Sequence, residues 1–206
     1  MHRRVAILML SAVFLLNVYR AWTQSITCDE AFAESLFLDG PVSRLLSVYD
    51  ASHHVLYTLL TKASVAAFGL SEFTLRIPSL LGGLLYLVTV YRIARHAFGE
   101  GRQFLLAVAA ASLNPLVLDF LSAARGYGLA LALLLWALYH MLLYLGGDGG
   151  DGRIYKAGLG LGLSVAANLT FLVPGTALAV LFLLILAAQR KWPAMLDAFA
   201  VPGIVT

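Results

Sequence analysis

Charge is what this chain has least of. Of its 206 residues, 14 are Lys or Arg and 11 are Asp or Glu, 12% in all, whereas 61% are hydrophobic. A soluble domain is about a quarter charged and about half apolar. The composition therefore excludes a soluble globular domain and reads as a polytopic integral membrane protein. Cys28 is the single cysteine, which excludes an intrachain disulfide and a thiolate metal site. The net charge is only +3, and no basic stripe with interleaved aromatics appears, so nucleic acid is excluded as a partner. The Gly-rich run Gly146–Gly152 lacks a Gly-Lys-Ser/Thr ending and follows no strand, so it is a linker and not a phosphate-binding loop.

What is present is a series of apolar runs. Val5–Trp22 amounts to about 27 Å of helix, close to the thickness of a hydrocarbon core. No small-x-small cleavage site follows it, so it reads as an uncleaved span with Tyr19 and Trp22 at an interface. Further spans are expected at 77–97, 104–121, 127–145, 154–172 and 174–188, with a seventh starting near Pro193. Pro78 is expected in the first turn of its helix, where a missing N–H costs nothing, and Pro115 is expected to kink the third span. The chain ends inside an apolar run, which suggests a fragment of a longer protein. The fold class is thus all-α, a transmembrane helix bundle. With the N-terminus cytoplasmic, nine cations fall at inner ends (Arg3, Arg4, Arg92, Arg95, Arg102, Arg153, Lys156, Arg190, Lys191) and five fall outside (Arg20, Arg44, Lys62, Arg76, Arg125). That is the direction of the positive-inside rule.

The stretch Thr23–Ser79 departs from this pattern. It holds six of the eleven acidic residues, the pair His53-His54, and Arg76. Glu30–Phe37, Val42–Tyr49 and His54–Phe68 have helical patterns too short to span, and are expected to lie on the outer membrane surface. A crossing by Val55–Leu70 is the alternative, and it would invert every later loop.

Several residues here have two readings. Thr27-x-x-Glu30 fits a capping box, which accounts for Thr27 and Glu30 and leaves Asp29 over; a carboxylate shielded at a membrane surface can serve as a general base. His53 and His54 are solvated histidines or donors to a phosphate; as neighbours they do not share a helix face, which argues against a two-His metal site. Arg76 is an interfacial anchor or a ligand-binding cation. Asp119 either ties two helix ends together or is a functional intramembrane acid. Arg125 and Tyr127 stand where an anionic headgroup would sit, and Arg grips phosphate in bidentate fashion.

Taken together, Cys28-Asp29-Glu30, Ser52-His53-His54 with the following Val55–Leu60, Phe68–Gly82 with its Arg76-Ile77-Pro78-Ser79, and Ala124-Arg125-Gly126-Tyr127-Gly128-Leu129 resemble the N-terminal part of GT-C-type membrane glycosyltransferases. The branch is that of the protein mannosyltransferases and the aminoarabinose transferase of lipid A. The resemblance covers roughly residues 1 to 145. It departs from many relatives at His53-His54-Val55, where they carry His-Pro-Pro, and in the number of spans.

The resemblance implies transfer of a sugar from a polyprenyl-phosphate carrier to an acceptor hydroxyl on a lipid, glycan or protein, outside a bacterial inner or plasma membrane. It implies Asp29 as base with Glu30 beside it, and Arg125, Arg76 and His54 as candidates to stabilise the departing phosphate. His53, Asp119 and Tyr127 complete the candidate substrate-binding set. No metal site is indicated. The rival reading is a transporter or flippase piece, which would place charges at the midplane of several spans; an inactive truncated relative is a third.

Overall fold

The computed structural model describes residues 1–33, 54–148, 150 and 152–195, apart from the side chains of residues 29, 32 and 33. His53, the second half of the expected helix Glu30–Phe37, all of Val42–Tyr49 and most of the expected seventh span lie outside the described residues. The elements in order are α1 (His2–Thr23), α2 (Cys28–Ala33), α3 (Val55–Phe68), α4 (Glu72–Phe98), α5 (Arg102–Ser112), α6 (Pro115–Ser122), α7 (Gly126–Leu145), α8 (Gly152–Ala167), a 3-10 turn (Leu169–Phe171) and α9 (Leu172–Ala188), with no strand among the described residues. Among the described residues, four helices are long and apolar enough to cross a membrane: α1, α4, α7 and Leu169–Ala188. The pair α5 and α6, bent by 59° at their break, is long and apolar enough only when taken together, as a broken span or a re-entrant loop.

Three expected boundaries shift, each for a local reason. The helix expected from Ile77 begins at Glu72, because Ser71 caps it. The Ser71 hydroxyl accepts the Thr74 N–H at 3.2 Å, and the Thr74 hydroxyl accepts the Ser71 N–H at 2.9 Å. Pro78 therefore lies inside the helix and not in its first turn. The third span is two helices: Asn114 caps α6 by accepting the Leu116 N–H at 3.0 Å, and Pro115 takes the first helical position. The fifth expected span, 154–172, ends as a helix at Ala167. There Asn168 starts a 3-10 turn by accepting the Thr170 N–H at 2.9 Å.

A proline inside a helix strips the carbonyl four residues back of its donor, and in a membrane no water replaces it. Pro78 orphans the Thr74 carbonyl, and Ser64 of α3 donates to it at 2.8 Å. A helix end leaves its last carbonyls equally without donors: α5 stops at Ser112, and the buried Tyr86 of α4 donates to the Ala111 carbonyl at 2.8 Å. Helix α3 thus turns its polar face, Tyr57, Thr58, Thr61 and Ser64, into the protein, and leaves Leu59, Leu60 and Phe68 outward. Its 14 residues rise only about 21 Å, short of a hydrocarbon core of about 30 Å.

The bundle packs around α4. Ala6, Leu10 and Val13 of α1 meet Leu87, Val90 and Ala94 of α4, with Phe104 and Val108 of α5 completing the cluster. On its other face α4 touches α7 at backbone distance: a Cβ on Gly82 would stand 2.8 Å from the Leu129 Cα. Small residues at helix crossings permit such contacts in membranes. Short connections make sequential helices antiparallel. Consequently the C-terminal end of α1, all of α2, the start of α4, the end of α6 and the start of α7 gather at one end of the bundle.

The hydroxyl–carbonyl pairing at the end of α5 is testable. Tyr86→Phe keeps the ring and strands the Ala111 carbonyl, which costs about 1–3 kcal/mol. Thermal unfolding in detergent should show that loss. Tyr91→Phe, which removes a hydroxyl that has no partner, should cost much less; equal costs for the two substitutions would contradict the pairing.

Candidate functional site

At the gathered end, one ion pair joins four segments. Glu30 sits in the first turn of α2, where the capping box forms as its sequence predicts. The Glu30 Oε2 accepts the Thr27 N–H at 2.8 Å, and the Thr27 hydroxyl accepts the Glu30 N–H at 3.4 Å. The same carboxylate also accepts from Arg76: Nε donates to Oε1 at 3.0 Å and Nη2 to Oε2 at 2.8 Å. The Ala124 N–H, in the connection between α6 and α7, donates to Oε1 as well. A carboxylate offers about four acceptor positions, so Glu30 has none left.

Arg76 is equally saturated. Its remaining N–H groups donate to the carbonyls of Ala21 at 3.0 Å, Gln24 at 2.5 Å and Ser25 at 3.1 Å. All five guanidinium donors are therefore used within the protein. Both side chains are buried, at 1% and 3% exposure for Glu30 and Arg76. Burial pushes the Glu30 carboxyl up, but the hydrogen bonds from Arg76, Ala124 and Thr27 outweigh it and hold it below the usual carboxylate range. Glu30 is thus an ionised, fully occupied strut.

Asp29 is the neighbour of this strut in the first turn of α2; its side chain lies outside the described residues. Beside that turn opens a cleft of about 560 Å³, lined by Arg20, Thr27, Asp119, Phe120 and Arg125 among others. Asp119 is not joined to Arg125. It pairs with Arg20 of α1, and so ties the bent α6 to the end of α1. Arg20 is a cleft residue that sequence reasoning counted only as an outer cation. The signal available was a carboxylate near a helix end that needed a cationic partner.

The aromatic residues form the adjoining wall. Tyr127 stacks on Phe120, with ring centres 5.0 Å apart and planes at 18°, and meets His54 edge-on at 5.8 Å. Gly126 and Gly128, on either side of Tyr127, allow this: a Cβ on the first would collide with the Ala167 carbonyl and the His54 ring, and one on the second with the Phe120 carbonyl. The structure thus brings Asp119, Arg125, Tyr127 and His54 to one end of the bundle with the start of α2. Glu30 and Arg76 lie beneath them as a closed pair.

Comparison with known proteins gives the bundle a fold and a family. The chain is similar to the crystal structure of ArnT from Cupriavidus metallidurans bound to undecaprenyl phosphate, with a TM-score of 0.64 and 18% identity over 97% of this chain. It spans 39% of that protein's length. The family model of dolichyl-phosphate-mannose-protein mannosyltransferases matches residues 52–204, and the chain belongs to that family. A search of curated protein sequences finds no match.

The strut has a pH signature. Because folding lowers the Glu30 pKa, its contribution is complete above the ordinary value of 4.5 and is lost as pH falls below it. Melting temperature in detergent should fall on acidification through that range, and Glu30→Gln should flatten this part of the profile. Arg76→Ala, which leaves a buried carboxylate unpaired, should cost about 3–5 kcal/mol at neutral pH. A pH-independent profile shared by wild type and Glu30→Gln would contradict the assignment.

Proposed function

We propose that this chain is the N-terminal part of a membrane glycosyltransferase that moves a sugar from a polyprenyl-phosphate carrier to an acceptor hydroxyl on the outer side of the membrane. The observation that carries the reading is the cleft itself: the first turn of α2, Asp119 and Arg125 meet there, at the end of the bundle. Family membership supports sugar transfer. The undecaprenyl phosphate bound to ArnT supports a polyprenyl-phosphate donor. The excess of cations at the opposite helix ends supports an outer location.

In this reading Asp29 takes the proton of the acceptor hydroxyl. The hydroxyl oxygen attacks the anomeric carbon, the bond from that carbon to the phosphate oxygen breaks, and polyprenyl phosphate leaves with the electron pair. Phosphate is a good leaving group, so the step needs cations and no general acid. Arg125 lines the cleft and is assigned that role; Arg76 has no donor left for it. Glu30 holds the turn that carries Asp29 and does not act as a base. The transporter reading is less well supported, since the arginines and acids of the described residues stand at the ends of the spans.

Asp29→Asn in the full-length protein should lower transfer from a polyprenyl-phosphate sugar by about 10²–10⁴ with normal folding, whereas near wild-type turnover would remove Asp29 from the chemistry. Arg125→Ala should weaken donor affinity; an unchanged affinity would remove Arg125. In a Cys28→Ser background, an impermeant thiol reagent applied to intact cells should label Ser47→Cys and spare Gly149→Cys. The reverse pattern would invert the topology.

A further inference from the structure

A second cavity lies away from the cleft, on the face shared by α1 and α4. It measures about 480 Å³ and is lined by α1 from Arg3 to Leu15 and by α4 from Leu84 to Tyr91. Its walls are apolar: Ile7 and Leu15 on one side, Leu84 and Val88 on the other, each between 40% and 65% exposed. Apart from Ser11 midway, only one end is polar. Arg3 stands there, with no carboxylate partner among the described residues, and no acidic residue lines the cavity. The same end holds Tyr91, whose hydroxyl is buried without a hydrogen-bond partner while its ring rests edge-on against Phe104 at 5.4 Å.

From Arg3 to Leu15 the helix rises about 18 Å. That is close to one leaflet of a hydrocarbon core about 30 Å thick. We propose that this groove is a binding site for an anionic phospholipid of the leaflet at the N-terminal end of α1. One acyl chain lies between α1 and α4, and the phosphate is held by Arg3. Three observations select this occupant. The groove lies between two helices that are each long and apolar enough to span a membrane. Its depth matches one leaflet, and its single charge is a cation at the headgroup level. Tyr91 lines the groove at the level of Arg3, where an aromatic ring suits the membrane interface. The site is separate from the proposed donor cleft, which is at the other end of the bundle, and does not depend on the catalytic reading.

The test uses the full-length protein, equilibrated with an equimolar mixture of phosphatidylglycerol and phosphatidylcholine and examined by native mass spectrometry. The wild type should retain phosphatidylglycerol with about a fivefold preference, the size of one arginine–anionic lipid contact. Arg3→Gln should abolish the preference, and Arg4→Gln, one residue away and outside the groove, should keep it. Ser11→Trp, which fills the groove, should release the lipid. A photoreactive phenylalanine analogue at Leu84 keeps the question answerable if that variant folds poorly: it should cross-link to phosphatidylglycerol. Equal retention of the two lipids, equal effects of Arg3→Gln and Arg4→Gln, retention by folded Ser11→Trp, or a cross-link from position 84 to protein would each overturn the proposal.

Discussion

The organisation of the functional end depends on one buried pair, Glu30 with Arg76. A charge in a protein interior at a membrane is tolerable only when its partners replace water completely. Here they do: Glu30 accepts from Arg76, Thr27 and Ala124, and Arg76 donates to Glu30 and to three carbonyls at the end of α1. These contacts join α1, α2, α4 and the connection between α6 and α7. Removing either member would leave an uncompensated charge. The pair therefore fixes where the first turn of α2 stands relative to the mouth of the cleft. Of the two adjacent carboxylates, Glu30 is closed into the scaffold, and the chemical role proposed above falls to Asp29.

The same rule of satisfying backbone and side chain internally governs the spans. Pro78 inside α4 and the break after Ser112 each leave a carbonyl without a helical donor, and in both places a hydroxyl on a neighbouring element takes it. Tyr57 and Ser79 extend this pattern at the site end: Tyr57 donates to the Leu75 carbonyl at 2.9 Å, and Ser79 donates to the Ala123 carbonyl at 2.5 Å. The polar face of α3 and the start of α4 thus brace the connection that carries Arg125. Glycines at 82, 126 and 128 bring the backbones close enough for these bonds to form.

Much of this was legible in the chain itself. Long apolar runs locate the spans because the bilayer imposes a length and forbids unpaired backbone. The Thr27-x-x-Glu30 spacing predicts its cap because both partners lie within one helical turn. The limits appear where a contact joins distant segments. Glu30 and Arg76 are 46 residues apart, and Arg20 and Asp119 are 99 apart. Nothing in local spacing selects Arg20 over Arg125 as the partner of Asp119; the packing of α6 against α1 does. Arg76 looked like an anchor or a phosphate ligand because its position near a span's end suits both, and only the fold reveals the carbonyls that enclose it. The start of α4 at Glu72 was hidden by Pro78, which reads as a helix beginning unless Ser64 is known to lie opposite.

The central claim is a division of labour: an internally neutralised Glu30–Arg76 strut, and beside it a cleft lined by Arg20, Asp119 and Arg125 that we propose takes the donor phosphate. An experimental structure of the full-length protein with bound polyprenyl phosphate tests it most directly. The account predicts the phosphate within hydrogen-bond distance of Arg125, with the Glu30–Arg76 bonds intact beneath it. A phosphate bonded to Arg76, with Glu30 released from it, would contradict the account.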